Sequence, residues 1–174
     1  MLDIRQASCL VYAFEDRQAT CRDKKEERKV RVGTERIEFK LRGEQSEGQL
    51  VAAEVWMPAG GGPPMLHRHR SSELYRVERG ELAFYIEDEH GTVRRRVAGA
   101  GEVVAVPAQR EHTIRNESDR EAAAFTVYSP GDEMERFVHA VAGLGVGDAA
   151  EVDEIVTLAA ANGIEITRPI EDVA

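Results

Sequence analysis

The chain has 174 residues, 42% of them apolar and 32% charged, and carries a net charge of −9. That length suits one domain with a sizeable core and room for a small appendage. The acidic balance argues against nucleic acid or an anionic membrane as partner, since both recruit surplus Lys and Arg. The basic runs at 22–29 and 94–96 are mixed with or followed by acids and read as solvated segments.

At the N-terminus, SCLVYAF at 8–14 predicts a short strand, and the polar, charged residues 15–31 predict an exposed arm. Cys9 and Cys21 are too few for a disulfide framework and read as free thiols. Asp3, Arg5 and Glu15 break up the leading apolar residues, and nothing approaches the roughly 20 apolar residues of a membrane span. A cytoplasmic protein without an export signal is the expectation.

From 35 to about 130 the signals are those of strands. IEFKL (37–41), QLVAAEVWM (49–57), SELYRVER (72–79), ELAFYIED (81–88), TVRRRVA (92–98), EVVAVP (102–107), HTIRNES (112–118) and AAAFTVY (122–128) are short runs rich in Val, Ile, Phe and Tyr, separated by turn formers. Such a series predicts an all-β sandwich or jelly-roll barrel. After SPG at 129–131 the period changes: Met134, Phe137, Val138 and Val141 share one helical face, with Asp132 as N-cap, Glu135 three residues on and Gly143 at the C-terminal end. A second helix is predicted from Asp148, with Val152, Ile155, Val156 and Ala159 on one face and Asn162-Gly163 ending it. IEITRPI then predicts a short returning strand. The expected division is 1–34 as N-terminal strand and arm, 35–130 as barrel, and 131–174 as helices packed upon it.

The chemistry concentrates in GGPPMLHRHRSSELYRVERG, residues 61–80. On a strand, i and i+2 point to the same side, so His67 and His69 aim two imidazoles at one point. Glu73 keeps that parity, and a kink near Ser71 would bring it closer. Two imidazoles and a carboxylate suit a divalent first-row metal, with Fe, Mn, Ni, Co and Zn all admissible; tandem histidines on a strand also occur as surface decoration. GEVVAVPAQREHTIRN, residues 101–116, adds His112 at a strand start, where it can fold back across the barrel, so three of the five histidines lie in two such stretches. His90 reads as a hairpin-turn residue and His139 as a neighbour of the first helix's apolar stripe.

Together the two stretches resemble the two signature motifs of the cupin superfamily. Gly61, His67, His69, Glu73 and Gly80 fill the first, with three residues before the glutamate; Gly101, Pro107, His112 and Asn116 fill the second, where Gln109 replaces a glycine. Nine of ten motif positions match. A glutamine at positive φ there would be strained by about 1 kcal/mol, or the loop takes another shape. The resemblance implies a double-stranded β-helix (jelly-roll) barrel in which His67, His69, Glu73 and His112 ligate one divalent transition metal. The GGPP turn and the helical tail resemble a bacterial single-barrel subgroup labelled quercetin 2,3-dioxygenase-like.

The expected function is accordingly a metal-dependent dioxygenase of a small organic molecule. A non-catalytic ligand- or metal-binding cupin and a metal-assisted isomerase or cyclase are the alternatives. Glu73, loosened from the metal, would act as catalytic base. Tyr75 and Val77 share parity with the ligands and are candidates for the substrate pocket, as are Tyr85, Phe125 and Val127 from other strands; of Trp56 and Met57, one faces inward. A homodimer is expected from the resemblance, with SCLVYAF crossing to a neighbour's sheet edge.

Overall fold

The computed structural model describes residues 28–144 and 152–173. Cys9, Cys21, the SCLVYAF strand and the Asp148 cap lie outside the described residues. Within them run β1 (Lys29–Val32), β2 (Glu35–Leu41), β3 (Val51–Met57), β4 (Met65–Arg68), β5 (Ser72–Arg79), β6 (Glu81–Glu87), β7 (Val93–Gly99), β8 (Val103–Val106), β9 (His112–Arg115), β10 (Ala122–Ser129) and β11 (Glu165–Pro169), with helices α1 (Asp132–Ala142) and α2 (Val152–Ala161).

The strands form a six-stranded sheet in the order β1-β2-β3-β10-β5-β8 and a five-stranded sheet in the order β11-β4-β9-β6-β7, with antiparallel pairing throughout. The inward faces of the two sheets make the core, as the period-two pattern demands. On β5, Glu73, Tyr75 and Val77 are buried while Ser72, Leu74 and Arg76 are exposed. Val77, Leu82, Phe84 and Ala122 sit at the centre of one buried cluster. Each fully buried side chain of the size of Val or Phe contributes about 1.5–3 kcal/mol. The architecture is the expected jelly-roll barrel with a short C-terminal helical segment.

Three local expectations are corrected. Residues 29–32, assigned to the exposed arm, are strand β1: Val30 pairs with Ile37 and Val32 with Glu35, and both valines pack against buried residues of a second cluster. Lys29 is exposed at its edge, so alternation over only four residues was hidden in a charged run. At α1 the cap is Gly131 rather than Asp132, without a side-chain cap bond. Glu135 does not reach back to that cap; its carboxylate accepts the Arg42 Nε–H at 2.6 Å and the Gly43 N–H at 2.7 Å, tying the helix to the turn after β2.

Candidate metal centre

The two histidine motifs lie on neighbouring strands. His67 on β4 is directly paired with His112 on β9. His69 follows immediately after β4, and the chain then crosses from the five-stranded to the six-stranded sheet before β5 begins at Ser72. At this crossing the Ser71 hydroxyl donates to the Pro130 carbonyl. The strand is thus interrupted where a kink was expected, and Glu73 returns its carboxylate across the barrel toward the histidines.

Their ring nitrogens close on one point. One ligand nitrogen each from His67, His69 and His112 lies within 4.8 Å of the others, a small contraction away from the roughly 3.4 Å that separates two nitrogens on one tetrahedral metal. Glu73 Oε1 is 2.9 Å from His69 Nε2, and Glu73 Oε2 is 3.5 Å from His112 Nε2. His69, Glu73 and His112 are buried, at 2%, 4% and 2% exposure. His112 Nδ1 lies 2.8 Å from the Arg110 carbonyl oxygen, which can only accept. Nδ1 therefore carries the proton, and Nε2 presents a lone pair to the centre.

The electrostatics fit a cation. Burial, with the neighbouring His112 and His69, pushes His67 down to about 3, so it is a neutral donor at pH 7. Burial alone would raise the Glu73 carboxyl, but His112 and His69 outweigh it and hold Glu73 well below the usual range. Burial disfavours charge on His112, yet Glu73 beside it raises its pKa. His69 Nε2, His112 Nε2 and Glu73 Oε2 are buried without a hydrogen-bond partner. Unpaired buried acceptors cost about 1–3 kcal/mol each, and one divalent cation among them would satisfy all three.

A cavity of about 390 Å³ opens onto this cluster, with His67, Glu73 and His112 in its wall. Tyr75 lines it, as expected. Four other pocket candidates do not. Val77 is fully buried in the core one inward position beyond Tyr75. Tyr85 packs with Leu66 and Ala83, and its hydroxyl donates to Glu117 at 2.5 Å. Phe125 and Val127 share the outer side of the six-stranded sheet with Arg76 and Leu74, their register partners on β5.

The inward residue on β10 is instead Tyr128, opposite Glu73 in the ladder and lining the cavity. The small residues Ala122, Ala124 and Thr126, alternating in AAAFTVY, were the signal that could have set this parity. Met57 is the inward member of its pair, while Trp56 lies under Arg36, 4.6 Å from guanidinium carbon to ring centroid. The helices also contribute: Met134, Phe137, Val138 and Val141 of α1 and Ile155 and Val156 of α2 line the cavity. His90 is exposed beside the 88–92 turn, and His139 stacks on Phe39 at 5.1 Å.

Residues 53–128 match the family model of the cupin domain. The matched stretch runs from β3 into β10 of the jelly-roll barrel. No curated protein matches the chain. Among solved structures it is similar to an oxalate oxidase at 25% identity and a TM-score of 0.49, covering 57% of this chain and 53% of that one. It is also similar to an oxalate decarboxylase from Bacillus subtilis, at 18% identity and TM-score 0.52, covering 59% and 27%, and to a cupin sugar phosphate isomerase from Silicibacter pomeroyi, at 20% and 0.45, covering 55% and 59%. The chain spans about half the length of the oxalate oxidase it matches. Among the described residues no helix is long and apolar enough to cross a membrane.

Proposed function

We propose that this cupin is a metal-dependent enzyme acting on a small organic molecule, a dioxygenase of the quercetinase-like type. His67, His69, Glu73 and His112 would hold one divalent transition metal, its identity open among Fe, Mn, Ni, Co and Zn. The observation that carries the reading is the convergence of three buried, unpartnered donor atoms, His69 Nε2, His112 Nε2 and Glu73 Oε2. A divalent cation supplies Lewis-acid polarisation of a substrate oxygen there.

The protein supplies orientation, dryness and a proton acceptor. The Arg110 carbonyl holds the His112 tautomer that leaves Nε2 available. Glu73, its two oxygens facing two different imidazoles, can swing one free to take a proton from a substrate hydroxyl. A carboxylate is a weak base toward a hydroxyl, so a phenol or enol suits it better than an alkanol. The hydroxyls of Tyr75 and Tyr128, 3.3 Å apart, stand over the same space. The apolar helices limit water there.

The test is oxygen consumption by the metal-reconstituted chain on a panel of flavonols and diketones. Uptake that is lost in Glu73→Ala supports the dioxygenase. Metal binding with no uptake on any member supports the ligand-binding or isomerase alternatives.

We further propose that the protein is a cytoplasmic homodimer. Leu74 and Val103 support the second part, being 42% and 49% exposed on the outer side of adjacent strands β5 and β8. Sedimentation at micromolar concentration tests it: a mass of two chains is expected, and a monomer would refute it.

A further inference from the structure

The cavity has two unlike ends. At the inner end are His67, Glu73 and His112, with the Tyr75 and Tyr128 hydroxyls. The rest of the wall is mostly apolar: Met134, Phe137, Val138 and Val141 of α1 and Ile155 and Val156 of α2 join strand residues such as Ile37, Val55 and Met57. Val156 is 38% exposed, so this wall reaches the surface. Among the described residues no Lys or Arg lines the cavity.

The charged residues in the wall are two carboxylates, and both are engaged. Glu73 faces the histidines. Glu35 is 7% exposed, and its Oε1 accepts the Gly62 N–H at 2.6 Å and the Thr34 hydroxyl. Away from the metal cluster, an anionic group on the occupant would lose its hydration with no Lys or Arg among the described lining residues to replace it, a cost that the apolar wall cannot offset. An uncharged apolar body gains by burial against Phe137, Val141 and Ile155. The volume of about 390 Å³ lies at the small end of the range that takes drug-sized ligands.

We propose that the cavity selects an uncharged, mostly apolar molecule, two to three rings in size, with its oxygen-bearing end at the His67–Glu73–His112 cluster and its body against α1 and α2. The placement of the oxygen-bearing end rests on the metal reading above; the selection of an apolar, uncharged body does not.

The test uses two fluorescent probes with the same body, uncharged N-phenyl-1-naphthylamine and its anionic sulfonate 8-anilino-1-naphthalenesulfonate, titrated into the full chain both zinc-loaded and metal-stripped. The uncharged probe is expected to bind once per chain in both forms, at least about tenfold more tightly than the sulfonate. Val141→Asp and Ile155→Asp, checked for folding by circular dichroism, should each weaken the uncharged probe by about tenfold or more. Equal or tighter binding of the sulfonate by the wild type overturns the proposal, and this arm needs no variant. So does undiminished binding of the uncharged probe by both folded variants. Zinc content is read separately, so failure of the metal reading leaves the probe ratio intact and the two failures are told apart.

Discussion

The backbone N–H of Gln109 donates to the carbonyl oxygen of His69 at 2.8 Å. The loop of the second motif thereby grips the backbone of a histidine from the first. Gln109 does so at φ +64, the left-handed conformation in which the family motif carries glycine. Of the two outcomes foreseen for a glutamine there, the chain accepts the strain and keeps the loop. Gln109→Gly should therefore stabilise the fold by no more than about 0.5 kcal/mol, the released strain being partly offset by a more flexible unfolded chain. Gln109→Pro, which has no N–H and cannot adopt that φ, should weaken metal affinity by about tenfold or more. Urea denaturation and metal titration of the two variants check this; equal metal affinity in Gln109→Pro would contradict it.

Asn116, fully buried, closes the second motif without touching the metal cluster. Its Nδ2 faces the carbonyl oxygens of Met57, Pro58 and Arg120 at 2.9, 3.0 and 2.6 Å, and its Oδ1 accepts from the Ser118 N–H and hydroxyl. Its own N–H donates to the Gly61 carbonyl at 2.9 Å, joining the two motifs. Asn116→Ala strands several buried groups and should cost about 2–4 kcal/mol. A urea midpoint indistinguishable from wild type would show the network to be idle.

Glu111 adjoins His112 and is bound by Arg168 of β11, whose Nη2–H donates to Oε2 at 2.6 Å. That guanidinium holds the Glu111 carboxyl below the usual carboxylate range against the opposing effect of burial. A depressed folded pKa means that the pair stabilises the protein above the ordinary carboxylate range and that this contribution disappears as pH falls through the lowered value. Because the Arg168 side chain is 40% exposed, Arg168→Ala should cost only about 1 kcal/mol at neutral pH. The gap between variant and wild type should close on acidification, and a gap unchanged at about pH 3 would refute the linkage.

How much of this was legible in the sequence depends on the range of the interaction. The strands of the barrel and the histidines at 67, 69 and 112 announce themselves locally, by alternation, by glycine and proline spacing and by parity along one strand. The facing of Phe125 and Val127 did so only faintly, because AAAFTVY is mostly apolar at both parities; the small residues at 122, 124 and 126 are its one local trace, and pairing with Glu73 and Tyr75 turns Tyr128 inward. Strand β1 was obscured by its Lys and Arg, and its place at the sheet edge depends on β2. The stripe Met134–Phe137–Val138–Val141 was visible as a helix face, but a stripe that seals a core and one that lines a cavity read alike. Glu135 was spaced as a capping partner and was drawn instead to Arg42 and Gly43, distant in sequence and invisible to any local pattern.

The most direct test of the central claim is metal content per chain after reconstitution and dialysis, for wild type, His69→Ala, His112→Ala and Glu73→Ala. The wild type should retain one divalent transition metal per chain, and the two histidine variants should lose at least about tenfold in affinity, Glu73→Ala somewhat less. A wild type that retains no metal, or histidine variants that retain it as well as the wild type does, would contradict the account.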